Sequence, residues 1–341
     1  MVKAGDGSRG DAARLAGAWA SAGMREVAPL PILSLGDLTK TYRNPMTLKP
    51  FTAVDGLSLT LERGEIFGLL GPNGAGKTST IKMILGLTKP TRGSVLLDGR
   101  DPRDPRARKR LGYLPENACF YDHVTAVEFL ELSGALFGIQ AGACRRRADA
   151  LLSRLGLSEH AGKPLRKFSK GLTQRLGICQ ALLNEPNFLV LDEPMSGLDP
   201  IGRAEVKEIL REERKRGTTI FMSSHVLAET EPLCDRIGIL HHGRLIDVGA
   251  VRTLLSSGVL EWEITADALG EDRAKTLRSC GHHVESVGAR WVIRVRDSAA
   301  LQTVLRELTQ GSAIIHSVEP RRQSLEEYFV AALKSGDRGR G

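Results

Sequence analysis

The chain has 341 residues, 41% of them hydrophobic and 26% charged, with a formal net charge of +8. That length buries a sizeable core and suggests two or three domains, while no apolar run approaches the roughly 18 residues needed to cross a bilayer, so the chain is not itself a channel. The five cysteines, Cys119, Cys144, Cys179, Cys234 and Cys280, are scattered without CxxC spacing; they suit neither a zinc site nor a disulfide framework and point to a reducing cytoplasm.

Residues 1 to 30 are rich in Gly and Ala, show little periodicity and are expected to form a disordered tail. Within them "LAGAWASAGM" is too short and too poor in leucine for a secretory signal. From "ILSLGDLTKTY" onward, short runs such as "LSLTLE" and "SVLLDG" precede helical patterns and predict an antiparallel sheet joined to an α/β core. The core strands are "EIFGLL", "NFLVLD", "TTIFMSSH" and "RIGIL", nearly continuous apolar runs of the kind that parallel strands need when both faces are buried. Between them, about residues 122 to 184, the pattern is mostly helical.

Near residue 257 the pattern becomes strand ("LEWEITA"), helix, two strands ("HHVESV", "RWVIRVR"), helix, strand ("AIIHSV"), helix. That order predicts a C-terminal α+β unit of ferredoxin-like plan with one more helix. Leu301, Val304, Leu305 and Leu308 make the stripe that would cover its sheet, and Ser324 with Glu327 forms a capping box for the last helix. The arginine clusters at Arg103 to Arg110, Arg145 to Arg147 and Arg321 to Arg322 lack the interleaved aromatics of a base-stacking surface, so no nucleic-acid partner is expected. The histidine pairs at His241 and His282 each lack a third ligand and read as surface pairs.

Two short stretches carry chemistry. In "GPNGAGKTS" the spacing G-x-x-x-x-G-K-[ST] is met by Gly71, Gly76, Lys77 and Thr78. Backbone N–H groups of this loop, which also holds Asn73, Gly74 and Ser79, would curl around phosphates, and a helix starting near Lys77 adds its positive end. Lys77 would reach the β- and γ-phosphates and the Thr78 hydroxyl would take a place on Mg²⁺. In "FLVLDEP", Asp192 and Glu193 fall at the carboxyl end of a buried strand, where open α/β sheets place their ligand crevice. Asp192 should hold Mg²⁺ through water, and Glu193 should polarise the water that attacks the γ-phosphate, a role worth about 10² to 10⁴ in rate. After Ser169 and Gly171 another helix begins, whose N–H groups with the Ser169 hydroxyl form a second anion site.

"FSKGLTQRLGICQALL", starting at Phe168, then "FLVLDEP", "SGLD" (Ser196 to Asp199) and "SSH" (Ser223 to His225) together resemble the motifs of ABC-type ATPases, in the family's order, over residues 33 to about 250. The resemblance implies an α/β fold: a RecA-like P-loop NTPase core with an antiparallel β subdomain and a helical subdomain, here followed by the ferredoxin-like accessory unit. The implied division is a tail at 1–30, the ATP-binding cassette at 31–256, the accessory domain at 257–334 and a tail at 335–341. By resemblance Tyr42 stacks on adenine, and His225 contacts the γ-phosphate and attacking water. Ser169 and Gly171 of the signature, with the "SGLD" loop that ends in Asp199, belong to a nucleotide site shared with a partner, so that two copies pack head to tail around two ATPs. One chain supplying both surfaces implies a two-fold homodimer.

Two departures are informative. Glu116 in "GYLPEN" stands where most members have glutamine, and Lys170 precedes Gly171 where most have a second glycine. Both resemble the cassettes of type 2 ABC exporters, as does "SLEEYF" at residues 324 to 329. Glu116 is thereby expected near Mg²⁺ and the γ-phosphate. The implied protein is an ATP- and Mg²⁺-dependent ATPase, cytoplasmic and peripheral on the inner face of the cell membrane. It meets the membrane through an integral permease subunit that it drives for export. The alternative is a soluble ABC ATPase of macromolecular assembly, for example Fe–S assembly.

Overall fold

Alternating leucines in strands β1 (Leu33–Arg43) and β2 (Pro50–Leu61), with Val95 and Leu97 of β4 (Arg92–Leu97), turn one face of a three-stranded antiparallel sheet inward, in the order β2-β1-β4. The computed structural model describes residues 30–338 apart from 45, 256–258, 289, 312 and 323; most of the two expected tails therefore lies outside the described residues.

The inward face packs on a six-stranded sheet of order β5-β6-β7-β3-β8-β9. Its members are β3 (Ile66–Leu70), β5 (Leu111–Leu114), β6 (Phe188–Asp192), β7 (Thr219–Ser224), β8 (Arg236–His241) and β9 (Arg244–Ala250). The first five pair in parallel and β9 returns antiparallel along β8. Every residue of β3, β6 and β7 is buried, as their apolar runs predict. Alternation divides them between two cores: Phe67, Phe188 and Phe221 face the antiparallel sheet, whereas Leu70, Leu191 and Met222 face the helices.

Those helices are α2 (Ala126–Leu136), α3 (Ala141–Arg154), α4 (Lys170–Leu182), α5 (Pro200–Lys215) and the single turn α6 (Leu227–Thr230), whereas α1 (Lys77–Ile84) buries Ile81, Met83 and Ile84 in the other core, with the antiparallel sheet. The arm formed by α2, α3 and α4 occupies the region read as helical, and α2 opens on a capping box in which Thr125 and Glu128 exchange hydrogen bonds. Helices α1, α5 and α6 follow strands β3, β6 and β7, so three strand-to-helix loops converge at the carboxyl edge of the sheet.

After the short α7 (Val251–Leu254) come β10 (Val259–Asp267), α8 (Glu271–Ser279), β11 (His283–Val287), β12 (Arg290–Val295), α9 (Ser298–Gln310) and β13 (Ile314–Arg322), whose strands form a separate antiparallel sheet of order β11-β12-β10-β13. Ile264, Ile293 and Val295 bury against Ala274 and Leu277 of α8 and against the predicted stripe Leu301, Val304 and Leu308 of α9, while Trp262 and Trp291 are only partly covered. The last helix, α10 (Leu325–Arg338), has the predicted capping box between Ser324 and Glu327. It extends through residues 335 to 338, which the sequence reading placed in the tail. It also packs away from the small sheet: Leu325 and Phe329 join the core of the first unit, where α10 lies on α6, β8 and β9.

Candidate functional site

The loop from Gly71 to Gly76 is shaped by backbone crowding. A Cβ on Gly71 would stand 2.4 Å from the carbonyl oxygen of Leu240, and one on Gly76, which has φ of 111°, would stand 2.3 Å from that of Ala53. Only glycine satisfies both limits. Helix α1 then starts at Lys77 with its first N–H groups directed into the loop, the arrangement that favours anions. The Lys77 side chain folds back under the loop, its Nζ donating to the Gly71 carbonyl at 2.7 Å and the Pro72 carbonyl at 3.3 Å.

A cavity of about 350 Å³ opens over this loop. Asn73, Gly74, Gly76, Lys77, Thr78 and Ser79 line it from one side, and Glu116, Asp192 and Glu193 from the other. The structure thus brings together both sequence-derived motifs and Glu116. Hydroxyl and carboxylate oxygens of Thr78, Asp192 and Glu116 are hard donors of the type Mg²⁺ takes, and among the described residues no cluster of three or more His, Cys, Asp or Glu exists that would enclose an ion without phosphate and water.

Glu193 is held from several sides. It is buried, has a left-handed backbone (φ 51°), and its N–H donates to Ser223 Oγ at 3.1 Å. Ser223 in turn donates to Asp192 Oδ1 at 2.6 Å, which fixes the two carboxylates relative to β7. The Glu193 carboxylate spans two nitrogen neighbours: Oε1 lies 3.5 Å from Lys77 Nζ and Oε2 lies 2.8 Å from His225 Nδ1. An ionised carboxylate only accepts, so His225 presents its Nδ1 proton to Glu193 and leaves Nε2 facing outward, with half of its side chain exposed. Tyr113 stands near Asp192, and burial, aided by that negative charge, pushes its phenol up to about 12; it is a neutral neighbour.

Six sequence-derived residues do not line this cavity: Gly71 and His225, which bond to Lys77 and Glu193 of its lining, and Tyr42, Ser169, Gly171 and Asp199. Tyr42 stacks on Phe51 at 5.7 Å between ring centroids with 28° between planes, and Phe51 is the aromatic that lines the cavity. Ser169 and Gly171 sit at the start of α4, where the Ser169 oxygen accepts from the Leu172 N–H at 3.3 Å and its hydroxyl hydrogen remains to donate. Asp199 caps α5 by accepting from the Gly202 N–H at 2.9 Å.

The family model described as "ABC transporter" matches residues 54–196. The Nod factor export ATP-binding protein I of Ralstonia nicotianae is 37% identical over 313 residues, covering 89% of this chain and 94% of that protein. The bacitracin transport ATP-binding protein BcrA of Bacillus licheniformis is 35% identical over 318 residues, covering 90% of this chain and 99% of its own. The chain belongs to the ABC transporter ATP-binding proteins. Among solved structures, an ATP-binding subunit of an ABC transporter, 34% identical, superposes with a TM-score of 0.60 over 65% of this chain and 91% of that one.

In this ABC ATP-binding protein, three residues of the site carry no role in the sequence reading. Ser223 lies in the quoted "SSH", and its burial follows from a strand covered on both faces, but its bond to Asp192 joins positions far apart in the chain. Phe51 follows a loop whose length hides which aromatic returns to the phosphate loop. Gln174 is polar on a helix that is buried or half-buried all round from Gly171 onward, so no apolar stripe marks it.

Proposed function

We propose that this protein hydrolyses MgATP in a head-to-tail homodimer and drives a separate integral membrane permease, for export. The observation that carries the reading is the Glu193 carboxylate, strung between Lys77 and His225 at the rim of a phosphate loop. In this reading the loop amides and Lys77 bind the β- and γ-phosphates of the substrate, and Thr78, Asp192 and Glu116 hold Mg²⁺. When bound, the ion neutralises phosphate charge. Glu193 takes the proton of the attacking water; His225 fixes the carboxylate's orientation through Nδ1. Tyr42 supports Phe51 as a two-ring platform for adenine.

Ser169, Gly171 and Asp199 stand apart from the chain's own cavity, which supports assigning them to the nucleotide of a second copy. Contact with the permease is supported by a groove of about 600 Å³ lined by Tyr113, Pro115, Cys119, Phe120, Phe129 and Leu136 and located beside the Glu116 loop. Leu136 is 83% exposed there, and an apolar surface of this type suits a partner helix. Among the described residues no helix is long and apolar enough to cross a membrane. The protein is read as cytoplasmic and peripheral, reaching the membrane through that partner. Export, rather than the assembly alternative, follows the names of the Nod factor and bacitracin relatives. The sheet of β10 to β13 is read as a ferredoxin-like accessory domain that supports or regulates the dimer.

Replacing Glu193 with Gln tests the reading, because the amide keeps the shape of the site and cannot accept the proton. ATP binding should persist, turnover should nearly vanish and MgATP should cause dimers to accumulate in light scattering. An unchanged mass together with intact hydrolysis would reject it.

A further inference from the structure

Gln174 occupies the second turn of α4, is 3% exposed and uses its side-chain amide on no residue of its own helix. Its Nε2 donates to two consecutive carbonyls, those of Glu193 and Pro194, each at 3.1 Å. These are the carbonyls that follow the left-handed φ of 51° at Glu193. A non-glycine residue is held in that region only where its surroundings fix it. Ser223 fixes the N–H side of Glu193, and Gln174 fixes the carbonyl side.

The N-cap of the same helix is Ser169, five residues earlier, about 7.5 Å along the axis. Its first turn also lies against the loop after Glu193. A Cβ on Gly171 would stand 3.2 Å from the Gly197 carbonyl oxygen, and a Cβ on Gly197 would stand 2.7 Å from the Lys170 side chain. The start of α4 and residues 193 to 197 therefore form one packed unit, with Gln174 as its hydrogen-bonded joint.

We infer that Gln174 is a positioning residue that ties the placement of the signature helix to the Glu193 carboxylate of the same chain. This rests on the reading of Glu193 as the base and of Ser169 as a contact to the partner's nucleotide. Under that reading, a shift of α4 on engaging the γ-phosphate at one site reaches the base of the other site through a rigid path. The amide has two N–H donors, and both accepting carbonyls belong to the segment that aims Glu193, so loss of the donors frees the carboxylate without touching the phosphate loop. The two ATP sites of a dimer are then coupled mechanically as well as through shared nucleotide.

The test compares full-length wild type with Gln174→Met, which keeps the length and removes the donors, and with Gln174→Asn, which keeps the amide but withdraws it by one methylene. Steady-state hydrolysis across ATP concentrations gives turnover and the Hill coefficient, equilibrium titration gives ATP affinity, and thermal melts give the folded fraction. Both variants should bind ATP within about twofold of wild type, lose about 10²-fold in turnover, the penalty of a misplaced reacting group, and lose cooperativity in ATP. A folded variant with wild-type turnover and an unchanged Hill coefficient overturns the role of Gln174. So does a fall in turnover that only tracks the folded fraction while cooperativity persists. A wild type that does not hydrolyse ATP overturns the reading of Glu193 and this inference with it.

Discussion

Replacing Leu325 with Ala probes the seat of the last helix. Leu325 is 0% exposed and shares a core with Leu233 and Val251, although it follows a sheet that has its own separate core. Shortening the side chain forfeits about 2.4 kcal/mol at about 0.8 kcal/mol per buried carbon group, and the residual cavity brings the cost to about 3 kcal/mol. The backbone bond from the Leu325 N–H to Glu231 Oε2, 3.4 Å, is retained, so the loss is one of packing. Because α10 can leave its seat without unfolding the central sheet, the cost should appear as local opening rather than as a lower global midpoint. Hydrogen exchange should then accelerate about a hundredfold in α10 and in α6 beneath it, at about 1.4 kcal/mol per factor of ten. Val330→Ala on the same helix is the control; this side chain is 48% exposed and its loss should cost under about 0.5 kcal/mol. Equal exchange in the two variants, or acceleration confined to the small sheet, would refute the docking.

Tyr328 donates to Asp247, and burial with that bond pushes its phenol up to about 12. A phenol that binds its proton more tightly when folded lends stability that is complete below about pH 10. It is lost as pH rises through about 12, so exchange of α10 should accelerate across that window in wild type and stay flat in Tyr328→Phe. Cys144, Cys179 and Cys234 are buried, with burial raising each thiol, whereas Cys119 and Cys280 are exposed; native-state alkylation should label only the latter two, and bound permease should protect Cys119 in its groove. Ser223→Ala leaves Asp192 Oδ1 without its donor and the Glu193 N–H without its acceptor, which should cost about 1 to 3 kcal/mol and lower turnover in a coupled ATPase assay more than it lowers ATP affinity.

The phosphate loop, the paired carboxylates and the parallel strands were readable because each is local: glycine spacing, a run of apolar residues, a charge at a strand end. The succession of strands and helices in the C-terminal unit was readable for the same reason. What escaped depends on chain segments meeting across long separations. Nothing near residue 51 says that Phe51, and not Tyr42, lines the phosphate cavity, since the turn between them sets that outcome. The apolar face of α10 was visible as a stripe, but a stripe does not name its partner, and it packs on the first unit instead of on the sheet that precedes it. Gln174 escaped because its two acceptors lie about 20 residues further along the chain.

Val251 at the start of α7 and Leu325 at the start of α10 enter the same core, and the whole four-stranded sheet is strung between them. The sheet is therefore a closed excursion of the chain, anchored at entry and exit, and not a pendant hung from one hinge. A chain cut after Val251 loses not only the excursion but a wall of the ATPase core, leaving the turn behind His225 bare to water. Joining α7 directly to α10 by a short linker would instead remove the sheet and keep that wall, so the two deletions separate what the sheet does from what the helix holds in place.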